Sequence, residues 1–390
     1  MNAALPDTRM FCVWIALLAA GAVAVSSASM ELAMSRYGDA DFHLVRHLVF
    51  AAVSVLGFLF VLSVPTRLWA QVATSTYFLT LVLLLLVLLP GIGREVNGSM
   101  RWIGLGPASI QPSEVAKFLL VVYLAGYLQR HREDIANSFV AMVRPFGWLL
   151  IPATLLLAEP DLGSTVVIYG AAAGLVLLAG ARVSHMLVLI ATAVGALILL
   201  VLWQPYRLLR LEAFLNPWAA DVQFGSGYQL TQALIAFGRG EWFGVGLGEG
   251  LQKLFYLPEA HTDFIFAVVA EELGAIGALA LCAALTWLVL RGLAHGRVAE
   301  ERGATFAAML AYGAALMLGV QMLVSLGVNT GLLPTKGLTL PLVSYGGNSL
   351  VVSSALVALI MRVHWENALE AQAAAAGGKA VRKARAEVAA

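Results

Sequence analysis

Ten long apolar runs, nearly free of charge, constrain what this chain can fold into. They occupy residues 10–30, 48–65, 68–93, 115–129, 145–158, 162–181, 183–205, 264–290, 303–325 and 344–361. A helix needs about 20 apolar residues to cross a bilayer, and flanking residues extend the two shortest runs toward that length. Hydrophobic residues make up 60% of the chain and charged residues only 12%, which excludes a soluble domain. The sequence therefore predicts an all-α polytopic membrane protein of about ten transmembrane helices.

The first run ends in small residues, Ser26 to Ser29, that resemble a signal-peptidase site. Its 21 uncharged residues are long for a signal peptide but sufficient to span a bilayer. We therefore expect this run to remain in the protein as the first helix.

The distribution of basic residues predicts the orientation. With the N-terminus in the cytoplasm, fourteen of the 24 Lys and Arg residues fall on the inner side, and five fall in the short outer loops. The positive-inside rule then places both termini in the cytoplasm. The formal net charge of +1 gives no indication of a nucleic-acid partner. The two cysteines lie in apolar runs, which argues against a disulfide framework or a CxxC metal site.

One loop is large. Residues 204–262 lie outside in this topology and interleave aromatic residues with glycine. This composition suits a segment that lies at the membrane interface and contacts an amphiphile, although an ordinary aromatic belt explains it equally well. We expect residues 1–370 to form a single transmembrane domain. The Ala-rich residues 371–390, with four basic side chains, are predicted to be a disordered cytoplasmic tail.

Ionisable residues at the edges of apolar helices are costly and are candidates for function. Asp263 stands where the large loop, through LPEAHTDFIF, becomes the eighth predicted helix, and Glu259 and His261 precede it. An Asp at a helix start is also an ordinary structural choice. Of the two glutamates about 12 Å further on, only Glu271 could line the same cavity, and Glu272 is expected to bond a neighbouring helix.

A second cluster, NGSMRWIGLG followed by QPSEVAK, leads into the fourth predicted helix. Arg101 beside Trp102 suits a phosphate or head group, although snorkelling accounts for it as well. Glu114 and Lys117, three residues apart, share a helix face, and a purely structural ion pair is the simpler interpretation.

Two further segments complete the set of candidates. The turn AEPDLGS carries Glu159 and Asp161, which are either paired catalytic carboxylates or simply solvated acids. The segment NTGLLPTKGLTLPLVSYGGNS contains Lys336, Ser344 and Tyr345 and is interrupted by Pro and Gly. Irregular backbone at membrane depth is tolerated where it is buried in protein or lines a cavity, so we expect this segment to form a cavity wall.

Taken in this order, the motifs RWIGLG…QPSEVAK, GYQLTQALIAFGRGEWFGVGLG, KLFYLPEAHTDFIFAVVAEELG and LPTKGLTLPLVSYGGNS resemble the SEDS family of cell-wall proteins (shape, elongation, division and sporulation). The resemblance covers nearly the whole chain. NGSMRW, LPEAHTDF and LPTKGLTLP are more similar to the division type than to the elongation type.

The resemblance implies a peptidoglycan glycosyltransferase of the inner membrane at the division septum. It would polymerise lipid II together with a class B penicillin-binding protein and other division proteins. Asp263 matches the family's essential aspartate, and Glu114 with Lys117 match its QPSExxK pair. The remaining candidates for substrate binding are Arg101, Trp102, Glu159, Asp161, Lys253, Glu259, His261, Lys336, Ser344 and Tyr345.

An inverting displacement at the lipid-linked sugar needs one base and charge stabilisation for the leaving pyrophosphate. Asp263 would be that base, or would hold Mg²⁺ or Mn²⁺ near the pyrophosphate. Positive charge for the pyrophosphate could come from Arg101, Lys117, Lys253 or Lys336. No organic cofactor is expected. Two other interpretations stay open, a flippase for lipid II and a non-catalytic scaffold of the division complex.

Overall fold

The computed structural model describes residues 6–96, 99–105, 108–202, 214–219, 225 and 227–389. Within these residues the elements follow in the order α1 (Thr8–Tyr37), α2 (Phe42–Ser63), α3 (Thr66–Leu88), β1 (Gly93–Val96), β2 (Ser99–Leu105), β3 (Ala108–Ile110), α4 (Pro112–Asn137), α5 (Phe139–Ala158), α6 (Leu162–Leu178), α7 (Val183–Leu202), α8 (Tyr228–Gly240), α9 (Ile265–Glu301), α10 (Thr305–Asn329) and α11 (Gly347–Ala389). The predicted helical membrane fold is confirmed. Each of the ten apolar runs lies largely within its own helix, and α8 is an additional helix.

Seven of the described helices are long and apolar enough to cross a membrane, namely α1, α2, α3, α5, α9, α10 and α11. The apolar parts of α6 and α7 are shorter, Leu162–Leu178 and Val183–Gly195. Although α4 has 26 residues, its first two turns carry Glu114 and Lys117. These charges lower its hydropathy, yet the helix is buried over most of its length.

The core of the bundle lies around α4 and α10. Nearly every residue from Pro112 to Leu128 is buried, as is most of α10. Glycines allow neighbouring helices to approach closely, as where Gly174 faces Leu316 and Gly296 faces Tyr312. Small residues at helix contacts are typical of membrane proteins, in which packing rather than water drives association.

A small antiparallel sheet, β1–β2–β3, lies between α3 and α4. Arg94 pairs with Trp102 across β1 and β2, and Ile103 pairs with Ile110 across β2 and β3. The purely helical prediction omits this sheet because its strands are short and interrupted by glycine. We call the end of the bundle that carries β1–β3 the sheet end.

The large loop is only partly described, since residues 204–213, 220–224 and 226 of the predicted 204–262 loop lie outside the described residues. The described part contains α8 and a segment without regular structure, 241–256. At the other end, α11 continues to Ala389, so the prediction of a disordered tail from residue 371 differs from the structure. Alanine has the highest helix propensity, which accounts for the continued helix.

The 241–256 segment packs into a break in α9. Gly274 has φ 67° and interrupts the helix. The backbone groups released by the break are bonded by the segment: Ala275 N to Glu241 O (2.8 Å), Ile276 N to Trp242 O (3.2 Å), Val245 N to Glu271 O (3.0 Å) and Gly246 N to Glu272 O (3.1 Å). Irregular backbone inside a membrane protein must be satisfied in this way.

Candidate active site

Asp263 stands two residues before α9, in the turn that joins the 241–256 segment to this helix. Asn329, the last residue of α10, is fully buried and holds the Asp263 backbone. Its Nδ2 donates to Asp263 O at 2.8 Å, and its Oδ1 accepts from Ala267 N at 3.2 Å. One amide side chain therefore fixes both the carbonyl of Asp263 and the first turn of α9.

The Asp263 carboxyl group is half-buried and faces Gly337. A Cβ atom added at Gly337 would lie 3.0 Å from Asp263 Oδ2. Burial, together with the negative charge of Glu259, raises the pKa of Asp263 to about 7, against the opposing effect of Arg101. A carboxyl group with such a pKa can accept a proton from an attacking hydroxyl group near neutral pH.

Arg101 extends from β2 toward the turn between α5 and α6. Its Nε donates to Glu159 O at 2.8 Å and its Nη2 donates to Pro160 O at 2.7 Å. Because adjacent residues of a strand point to opposite faces, Trp102 lies on the other face of the sheet. Arg101 lies close enough to Asp263 for its positive charge to act on that carboxyl group.

The two acids of this turn differ. Glu159 is fully buried, and neither of its carboxyl oxygens has a hydrogen-bond partner among the described residues. Burial and the neighbouring Asp161 raise the pKa of Glu159 to about 8. Asp161 caps α6 through bonds from Ser164 N (3.0 Å) and Ser164 Oγ (2.8 Å). The interpretation as two solvated acids is wrong, since both side chains are buried.

Glu114 and Lys117 form a buried ion pair between α4 and its neighbours. Lys117 Nζ lies 2.8 Å from Glu114 and also donates to Gln321 Oε1 at 2.7 Å. Gln321 Nε2 in turn donates to Thr339 O at 3.1 Å. Lys117 is only 1% exposed. In this structure the pair braces α4 against α10 and the segment before α11, which agrees with its structural interpretation.

The two glutamates of α9 hold the 241–256 segment. Glu272 pairs with Lys253 at 2.6 Å and accepts from Ser27 Oγ of α1 at 2.7 Å. Glu272 therefore bonds a neighbouring helix, as predicted. The fully buried Glu271 accepts from Leu251 N (3.0 Å) and Gln252 N (3.1 Å). The expectation that Glu271 lines a cavity with Asp263 is wrong, because these amides occupy its carboxylate.

Next to Asp263, His261 belongs to an aromatic cluster. Its ring centroid lies 4.9 Å from that of His43 and 5.4 Å from that of Tyr345. Tyr345 N donates to His261 O at 2.9 Å, which joins the turn before α9 to the segment before α11. Burial and the nearby His43 lower the pKa of His261 to about 4, so its ring is neutral at pH 7.

Of the other predicted side chains, one makes a structural contact and two lie close to Asp263 or to the glycine that faces it. Ser344 Oγ accepts from Leu340 N at 2.8 Å within a turn. The exposed Glu259 accepts from Thr262 Oγ1 at 2.7 Å, and its charge acts on Asp263. Lys336 is half-buried and adjoins Gly337, which faces Asp263.

No three His, Cys, Asp or Glu side chains of the described residues come together in a way that could hold a metal ion. Among the described residues, Glu259 is the acidic residue whose charge acts on Asp263. Mg²⁺ usually keeps several waters and binds through one or two carboxylates together with substrate phosphates, so the predicted ion would not depend on such a group.

Sequence reasoning missed Asn329, Gly337 and Gln321. Asn329 and Gly337 lie in the NTGLLPTKGLTLPLVSYGGNS segment, whereas Gln321 lies within the apolar α10. Their roles depend on contacts between distant helices. For Gln321 and Asn329 the local sequence signal was an amide side chain in an otherwise apolar helix. Burying such a polar group is costly unless it is hydrogen-bonded.

Relatives and solved structures resemble the chain over most of its length. A protein of Pseudomonas fluorescens, "Probable peptidoglycan glycosyltransferase FtsW", is 48% identical over 361 residues, which are 93% of this chain and 88% of that protein. A protein of Hahella chejuensis with the same description is 49% identical over 349 residues, 90% of this chain and 87% of that protein.

Two solved structures share the fold. One, described as "Structural coordination of polymerization and crosslinking by a peptidoglycan synthase complex", has a TM-score of 0.76 at 29% identity and covers 93% of this chain and 98% of its own. The rod shape determining protein RodA of Thermus thermophilus has a TM-score of 0.67 at 30% identity, with the same coverage.

The family model of FtsW, RodA and SpoVE, described as "Cell cycle protein", matches residues 7–369. This range contains Asp263, all the other site candidates, six of the seven long apolar helices and the first part of α11. The chain therefore belongs to the FtsW, RodA and SpoVE family of cell cycle proteins and is a multi-pass protein of the bacterial inner membrane.

Proposed function

We propose that this chain is a peptidoglycan glycosyltransferase that polymerises lipid II during cell division. The observation that carries the proposal is Asp263, a carboxyl group with a pKa of about 7 placed near the cationic Arg101. The names of relatives at 48–49% identity support the glycosyltransferase activity and the division type. The 30% identity to an elongation-type protein, RodA, makes that alternative weaker.

In the proposed reaction, Asp263 removes the proton from the 4-hydroxyl group of the acceptor GlcNAc. The hydroxyl oxygen forms a bond to the anomeric carbon of the donor MurNAc, and the bond from that carbon to the pyrophosphate oxygen breaks. The configuration inverts, and the pyrophosphate leaves with the electron pair. Arg101 is held by backbone carbonyls rather than by a carboxylate, so its positive charge is available to stabilise the leaving group.

Two lysines proposed from sequence to face the pyrophosphate are engaged elsewhere. Lys117 pairs with Glu114, and Lys253 pairs with Glu272. A pyrophosphate would have to compete with these buried partners. We therefore assign charge stabilisation to Arg101, with Lys336 as a second candidate because it adjoins the glycine that faces Asp263. A Mg²⁺ or Mn²⁺ ion bound through substrate oxygens stays a prediction.

We also propose that the sheet end faces the periplasm, with both termini in the cytoplasm and the protein enriched at the septum. The charge asymmetry of the loops supports this orientation. The similar structure whose description names polymerization and crosslinking by a synthase complex supports a class B penicillin-binding protein as partner. Other division proteins stay predicted partners.

A lipid II flippase or a scaffold is the competing function. A flippase needs substrate-binding groups near the midplane that connect both faces. Here the deeper charges, Glu271 and Glu272, are bonded to the 241–256 segment. Purified protein in proteoliposomes, given lipid II, should form glycan strands without transferring fluorescent lipid II between leaflets. Transfer without polymerisation would support the flippase, and neither activity would support the scaffold.

The rate of polymerisation should rise with pH through about 7. Because the pKa of Asp263 is raised to about 7, the group is protonated at lower pH and cannot accept a proton. We expect kcat to fall about tenfold for each pH unit well below this value. The measurement is a pH profile of glycan formation by reconstituted protein.

Glu159→Gln is the control for this profile, since the pKa of Glu159 is raised to about 8. The variant removes the other titrating carboxyl group near Arg101 and should keep the inflection near 7. If the inflection disappeared in the Glu159→Gln variant, the pH profile would report the titration of Glu159 rather than that of Asp263.

Gly337→Ala should lower kcat while the protein stays folded. The added methyl group would lie 3.0 Å from Asp263 Oδ2, so the carboxylate has to move by a few tenths of an ångström. Small displacements of a catalytic group are costly, and we expect a loss of about tenfold. Gly147→Ala is the matched control, since no atom lies within 4 Å of its added Cβ. Equal activity of the two variants would contradict the assigned position of Asp263.

A further inference from the structure

A groove of about 460 Å³ opens on the side of the bundle, between α1, α2 and the 241–256 segment. Its lining is mostly apolar and includes Val23, Met30, Leu44 and Leu254. Val23 is 51% exposed and Met30 is 44% exposed. Because α1 and α2 are membrane-spanning, the groove opens toward lipid rather than water.

The groove lies in the half of the membrane next to the sheet end. On α1 it extends from Ala22 to Glu31, a rise of about 13 Å at 1.5 Å per residue. It ends six residues before Tyr37, where α1 ends. Its shape along the helix suits an extended hydrocarbon chain that lies parallel to α1.

One wall of the groove continues into the candidate active site. Leu44 lines the groove, and the adjacent His43 lies with its ring centroid 4.9 Å from that of His261. Leu254 lines the opposite wall, nine residues before Asp263. A chain in the groove would therefore have its polar end beside the turn that carries Asp263.

The distribution of charge along the groove indicates which part of it can hold the apolar end of an amphiphilic ligand and which can hold the anionic end. Lys253 and Ser27 line the floor, but both bond Glu272, so this charge is neutralised. The acidic Glu31 also lines the groove and disfavours an anion within it. Arg36, in the last turn of α1, is exposed and makes no ion pair with the described residues. Its positive charge is close enough to act on His261.

We propose that this groove binds the polyprenyl chain of the acceptor, a diphosphate-linked saccharide, with its diphosphate beyond Glu31 at Arg36 and its sugar directed to Asp263. This inference rests on the proposed function and adds the place where the lipid of one substrate is held. The neutral, apolar lining accepts the hydrocarbon, and the cation at the outer end of α1 accepts the anionic head.

The test fills the groove with a larger side chain. Val23→Trp should raise KM for undecaprenyl-linked lipid II by about tenfold, as expected for the loss of some tens of Å² of apolar contact. KM for a farnesyl-linked analogue, whose chain is too short to fill the groove, should stay within about twofold. Val82→Trp on α3 is the matched control, because Val82 is also 51% exposed and lies outside the groove.

Equal KM values for the Val23→Trp and Val82→Trp proteins would overturn the proposal, as would an equal effect on both substrates. A second measurement does not depend on catalysis. A photo-reactive benzoylphenylalanine introduced at Met30 should capture lipid II in vesicles that contain it, and excess lipid II should compete. Capture of phospholipid alone would overturn the proposal even if the wild-type protein polymerises lipid II. Capture of lipid II by a protein without activity would support the groove and contradict the proposed function.

Discussion

Asp263→Asn should reduce glycan formation from lipid II by roughly 10²–10⁴-fold in kcat, the contribution typical of a general base. Asn has nearly the same shape, and the bond from Asn329 reaches the Asp263 backbone rather than its side chain. The fold and substrate binding should therefore be retained, so that KM changes little. The measurement is steady-state polymerisation by purified protein in proteoliposomes.

The control for this substitution is Asp41→Asn. Asp41 stands before α2 at the sheet end, is exposed, and makes no side-chain capping bond. Its replacement should leave kcat within about twofold, since isolated surface changes have small effects. If Asp263→Asn kept the wild-type rate, Asp263 would be neither the base nor a required metal ligand, and the proposed mechanism would fail.

The sequence was sufficient to predict where Asp263 lies along the chain relative to the helix, because this position depends on a local feature. An Asp at the junction of a polar loop and a long apolar helix must lie at the membrane edge. The helical fold was predictable for the same reason, since apolar length alone determines which segments can cross a bilayer. The sheet was not, because β1 to β3 are short and each strand is stabilised by its neighbours rather than by its own residues.

The sequence was least informative where a side chain's partner is distant. Lys253 looked available for a pyrophosphate, but Glu272 neutralises it nineteen residues further on. Glu159 looked solvated because polar turns usually are, yet it is fully buried, and Arg101 donates to its carbonyl. The positioning role of Asn329 depends on the contact between the end of α10 and the start of α9. Such roles depend on tertiary contacts that no local pattern encodes.

The second large effect is a loss of stability, expected when the buried ion pair of Glu114 and Lys117 in α4 is broken. Lys117→Met should lower the free energy of unfolding by about 3–5 kcal/mol, because the substitution leaves the Glu114 carboxylate buried without its counter-ion. Met has a similar length and fills the space, so the loss of charge rather than of volume is tested. The measurement is equilibrium unfolding in detergent micelles, followed by helix content.

Two comparisons make this result interpretable. The double variant Glu114→Gln with Lys117→Met removes both charges and should recover much of the lost stability, since replacing a buried pair is far less costly than breaking one. Arg297→Met breaks a helical pair whose side chains are 77% and 62% exposed, and it should cost about 0.5 kcal/mol or less. If Lys117→Met were no more destabilising than Arg297→Met, the pair would not brace α4. Lys117 would then be available to bind substrate, as the family resemblance implies.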